Sequence, residues 1–103
     1  MLFHVTVTHS PDDCPIYDMD ARQAAIEAAE NAQQVAKQAG VTPHFIVSPA
    51  PEHIIYLLLE ADRYESVGRF LVTLFPYPSE FAVSPVIHLK DVGAVITGTG
   101  SQS

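Results

Sequence analysis

A chain of 103 residues with one cysteine, and with twelve acids against five lysines and arginines for a formal net charge of −7, makes one small acidic domain. It holds no internal disulfide and no four-thiolate zinc centre, and its charge repels phosphate backbones and anionic lipid, so neither nucleic acid nor a membrane surface is an expected partner. At 48% hydrophobic and 17% charged it carries more apolar surface than so short a domain covers alone, which predicts a homodimer or higher homo-oligomer.

In chain order, the opening "LFHVTVT" alternates, with Phe3, Val5 and Val7 on one face and Leu2, His4, Thr6 and Thr8 on the other, as in a half-buried strand. It lacks the basic flank and long apolar run of a signal peptide or membrane span, so a cytoplasmic protein is expected. The stretch "HSPDDCPIYDMD" is turn-rich, and Asp20 with Gln23 has the spacing of a capping box. From there Ala21, Ala24, Ala25, Ala28, Ala32, Val35, Ala36 and Ala39 recur at helical spacing up to Gly40. "HFIVS" and "HIIYLLLEA" read as strands joined at "PAPE". Asp62 and Glu65 suggest a second capping box, followed by the helical stripe Val67, Phe70, Leu71 and Leu74 until Pro76. "EFAVSPVIHLK" is the last strand, at a sheet edge or bulged because it contains Pro85. Residues 1–92 form the domain, and 93–103 a Gly/Ser-rich tail in which Val95 and Ile96 could add a short strand against a partner chain.

The order β-α-β-β-α-β defines an α+β, ferredoxin-like unit: a four-stranded antiparallel sheet with two helices on one face and the other face bare. A second copy of that face is its simplest cover. In this order, and in the hairpin "GVTPHFIVSPAPEHIIYLLLEAD" leading into the second helix, the chain resembles the dimeric α+β barrel superfamily, which includes muconolactone isomerase-like and antibiotic-biosynthesis monooxygenase-like proteins. The resemblance implies two facing sheets that enclose a cavity in each subunit, used for cofactor-free oxidation, isomerisation or lyase chemistry, for haem, or for ligand binding.

Strand arithmetic assigns the faces. With Pro49 to Glu52 as the turn, Ser48 lies opposite His53, Ile46 opposite Ile55 and His44 opposite Leu57, all on the cavity face. The apolar set Phe3, Val5, Val7, Phe45, Val47, Ile54 and Leu58 is then the helix-covered core. Pairing Thr6 with Ser84 places Ser84, Val86 and His88 beside His4 and Thr6, with His88 diagonal to His4 at about 7 to 8 Å.

His44 and His4 are therefore the candidate acid–base residues, since imidazole changes charge near neutral pH. Thr6, Ile46, Leu57, Ser84 and His88 are the candidate ligand contacts. In an alternative reading His4, His44 and His88 hold zinc, copper or haem iron; otherwise no cofactor is expected. His53 is placed near solvent at the turn. Asp12, Asp13, Asp18 and Asp20 lack calcium-loop spacing and read as turn and cap residues. Cys14 could be a nucleophile beside His9, although the neighbouring acids oppose charge on its sulfur. Tyr17 and Tyr56 could bond a ligand, and Glu60 reads as a surface or capping acid. Three functions follow: a cofactor-independent isomerase, oxygenase or lyase acting on a hydrophobic or aromatic small molecule, a histidine-ligated metal or haem protein, or a structural or regulatory dimer with a filled interior.

Overall fold

The computed structural model describes residues 1–15, 19–49 and 52–98. Tyr17, Asp18, half of the proposed "PAPE" turn and the end of the tail lie outside them. Strand β1 (Leu2–Thr8) alternates as its sequence requires, with Phe3, Val5 and Val7 buried and the residues between them half-exposed. The first helical stretch divides into α1 (Met19–Glu30) and α2 (Ala32–Ala39). At the break, the Asn31 side-chain amide donates to the Glu27 carbonyl at 2.8 Å and competes with the regular ladder. Asp20 lies within the first turn of α1, where its charge suits the helix dipole, and Gln23 bonds Glu27 at 3.4 Å. Gly40 closes α2 at φ 78°, a left-handed position where its N–H reaches the Ala36 and Lys37 carbonyls.

Strands β2 (Val41–Val47) and β3 (Ile54–Ala61) lead into α3 (Tyr64–Leu74), which buries Val67, Phe70, Leu71 and Leu74. The expected capping box at Asp62 and Glu65 does not form. Arg63 holds the cap position without a side-chain cap bond, and its guanidinium lies 3.8 Å from Glu65 in solvent. Strand β4 (Glu80–Val86) completes an antiparallel sheet of order β2-β3-β1-β4. It is an edge strand, which is why Pro85 is tolerated there. A short 3-10 turn, Leu89–Asp91, leads into α4 (Val92–Thr97). Val95 and Ile96 therefore lie, exposed, on a helix and not on the expected strand. Among the described residues no helix is long and apolar enough to cross a membrane.

The central pair corrects the face assignment of β3. Val5 pairs with Leu57, Phe3 with Leu59 and Val7 with Ile55, so Leu57 and Leu59 are fully buried under the helices. Ile54, Tyr56 and Leu58 turn instead to the open face, with Phe45 and Val47 of β2. "IIYLLL" has no polar residue to mark its outer side, so parity was not readable from it. Two registers also differ from expectation by two residues. Ile46 pairs with Leu57 rather than Ile55, and Thr6 with Ala82 rather than Ser84. A two-residue shift keeps every side chain on its face, so Ser84 and Val86 still accompany His4.

Between the pairs Pro43–Leu59 and Phe45–Leu58 the second strand carries an extra residue, His44. This bulge lets His44 join the open face although its neighbour Ile46 stays with the helix side. Replacing Leu57 by alanine should cost about 2 to 5 kcal/mol in urea unfolding, as for other fully buried leucines. Ser84→Ala on the open face should stay within about 0.5 kcal/mol; equal costs would mean that the two faces are misassigned.

Candidate functional site

Two clusters of polar side chains stand at opposite ends of β1. At its start, the extra residue of the bulge brings His44 beside Glu60, which follows the buried Leu59 and so faces outward, opposite Leu2 and Thr42. The His44 Nε2–H donates to Glu60 Oε1 at 2.8 Å. In the neutral ring that bond sets the lone pair on Nδ1, with the ring oriented by a carboxylate. The pair lines an open cleft of about 450 Å³ together with Leu2, Leu58, Pro85, Val86 and Ile87 and with the polar His88 and Asp91. Its wall is mostly apolar with a few polar groups, and its volume falls within the range of pockets that hold small molecules.

Of the sequence-predicted site residues, the cleft gathers His44 and His88. His88 reaches it from the start of the 3-10 turn, beyond the last strand, and not from a position diagonal to His4. His4 lies on the open face opposite Leu58 and Ser84, its ring 6.3 Å from that of Tyr56, outside the cleft lining. Thr6 and Ser84 share that face but not the cleft. Leu57 belongs to the core, and Ile46 lines a separate apolar hollow of about 350 Å³ between the helices and β2. Glu60, expected to be a surface or capping acid, is the partner of His44.

At the far end of β1, His9 follows the last strand residue and His53 precedes the first residue of β3. The Thr8–Ile54 pair makes them neighbours. The His9 N–H donates to the His53 carbonyl at 3.4 Å, and His53 Nδ1 lies 3.2 Å from His9 Nε2. His53 is therefore half-buried against a second imidazole rather than standing in solvent as expected. Cys14, only 4% exposed, completes a group whose donor atoms all lie within 4.8 Å of one another. The Tyr77 ring packs edge-on against His9 with centroids 5.5 Å apart, a contact that no local sequence signal marks. Burial, and next the charge of Cys14, raise its phenol above the ordinary value of 10.0.

No protein-family model matches the sequence, and no curated protein matches it. Among solved structures, the fold matches that of muconolactone isomerase, crystallised at 3.3 Å resolution, with a TM-score of 0.56 and 21% identity over 85% of this chain and 90% of that one. The protein thus shares that fold, a ferredoxin-like α+β arrangement that here consists of a four-stranded antiparallel sheet and a helix layer.

The Tyr77 shift has a definite sign. A phenol raised by folding keeps its full stabilising effect below pH 10.0 and loses it as pH rises past that value, because the unfolded chain ionises first. Urea unfolding should therefore show stability falling above about pH 10, with a shallower fall in Tyr77→Phe; identical slopes would mean that the phenol is not the group responsible.

Proposed function

We propose that this protein binds a small, mostly apolar molecule in the cleft at His44 and moves a proton on it without a cofactor. The carrying observation is the 2.8 Å bond between His44 and Glu60 in an apolar cleft on the uncovered face of the sheet. Glu60 orients the imidazole and stabilises the imidazolium formed when Nδ1 takes a proton, the role a carboxylate plays toward histidine in acyl-transfer triads. In an isomerisation the C–H electrons move into the adjoining unsaturated system and His44 returns the proton at a second carbon, so no oxidant or co-reactant is needed. The matching structure is named as an isomerase, which favours this class over oxygenation or elimination. The carboxyl groups of Glu60 and Asp91 in the cleft favour a neutral ligand, aromatic or lactone-like, over an anion.

The cleft is open in a single chain, and the face beside it exposes Phe45 and Val47. A second copy laid over this face would cover those side chains and close the site, making the working unit a homodimer. Sedimentation should then give twice the chain mass at micromolar concentration, and Val47→Glu should shift the molecule toward monomer. A monomeric wild type would remove the closed cavity from this reading.

A thermal-shift screen of neutral aromatic and lactone compounds, followed by NMR of solvent deuterium incorporation into the hits, tests the chemistry. His44→Gln should slow exchange by about 10² to 10⁴, the usual worth of a positioned acid–base group, with Glu60→Gln intermediate. Exchange untouched by His44→Gln would exclude His44 as the base.

A further inference from the structure

The group at the other end of β1 plays no part in that reaction, being about 20 Å away along the strand. We propose that His9, Cys14 and His53 bind one zinc(II) ion, leaving a fourth coordination position for water or an added ligand. The donors are two imidazole nitrogens and one sulfur, with no carboxylate in the group. That set selects a borderline or soft ion such as zinc over magnesium or calcium.

The spacing agrees. In a tetrahedral centre with Zn–N of about 2.0 to 2.1 Å, two imidazole nitrogens lie about 3.3 Å apart, and His53 Nδ1 and His9 Nε2 are 3.2 Å apart. Two neutral imidazoles facing nitrogen to nitrogen share a single proton, one donating and the other accepting. A cation in place of that proton lets both lone pairs bind. All three donor atoms lie within 4.8 Å of one another, against the roughly 3.6 Å nitrogen–sulfur edge of such a centre, so closure takes at most about 1 Å of side-chain movement.

Two of the three ligands are already placed by the fold. His9 and His53 extend the β1–β3 ladder by one pair and are tied by the His9 N–H to His53 carbonyl bond. Cys14 arrives from the turn that follows β1, its N–H bonded to the Pro11 carbonyl at 3.3 Å. Binding balances simply. Zinc displaces the thiol proton to solvent and forms the Zn–S bond, and the imidazole that was donating transfers its proton to its other ring nitrogen, so one proton leaves for each ion bound.

Calorimetric titration of the untagged full chain with zinc chloride, repeated in buffers of different ionisation enthalpy, tests this. One ion per chain with about one proton released is expected. Cys14→Ser and His53→Gln should each weaken binding at least about tenfold, and His4→Gln should leave it unchanged. Cobalt(II) should give a thiolate-to-metal charge-transfer band in the wild type that Cys14→Ser lacks. Circular dichroism of the metal-free variants checks that they fold, and if Cys14→Ser does not, the cobalt band of the wild type decides. Absence of saturable zinc uptake, uptake undiminished without Cys14, uptake of copper(II) but not zinc, or a cobalt complex with no sulfur band would each overturn the assignment.

Discussion

The pairing of β1 with β3, with Val5 opposite Leu57 at its centre, is the constraint on which the rest of this structure depends. Both residues are fully buried, and together with Phe3, Val7 and Leu59 they make the floor on which α2 and α3 pack. Because side chains alternate strictly along a strand, burying this set commits every intervening residue of both strands to the opposite face. His4, Thr6, Tyr56, Leu58 and Glu60 are outward for that reason alone. The helix layer and the open face are thus two results of one register.

The candidate acid–base pair arises where that alternation is broken. Without the bulge, His44 would follow Ile46 to the helix side, where a polar ring would need a buried partner. The extra residue at His44 reverses its direction and sets it against Glu60, an acid already turned outward because Leu59 is turned in. Bulges bend and re-aim a strand at the cost of one ladder position, and β2 can bear that cost because it is an edge strand with one side unpaired. The ferredoxin-like scaffold supplies the open face, and a local departure from regular pairing supplies the oriented imidazole.

The same ladder organises the opposite end. One step beyond the Thr8–Ile54 pair the strands present His9 and His53 to each other, and the turn after β1 folds Cys14 against them, with Tyr77 packed on His9 just before β4 begins. The two clusters differ in chemistry in a way that suits different work. One is a half-exposed histidine and carboxylate beside an apolar cleft, and the other a half-buried set of nitrogen and sulfur donors. Strand length keeps them apart, so a charge change at one is heavily screened at the other.

The amino-acid sequence by itself determined the order of the four strands and of the two main helical stretches, an edge or bulge at Pro85, the inward face of β1, the stripe of α3 and the stop at Gly40. Each of these is written in local periodicity or in a residue with a restricted backbone. Strand parity grouped His4, His44 and His88 on one face, whereas the fold puts His44 and His88 along the cleft and leaves His4 outside it. Tertiary structure alone decided which side of "IIYLLL" is core, since six apolar residues in a row suit either face until Val5 meets Leu57. It likewise decided that His44 bonds Glu60 through a bulge that no local signal marks, and that His9, Cys14 and His53, spread over 45 residues of chain, come together. Both follow from pairings between distant strands, and the energy that selects a register lies in burial across the whole sheet rather than in any segment read alone.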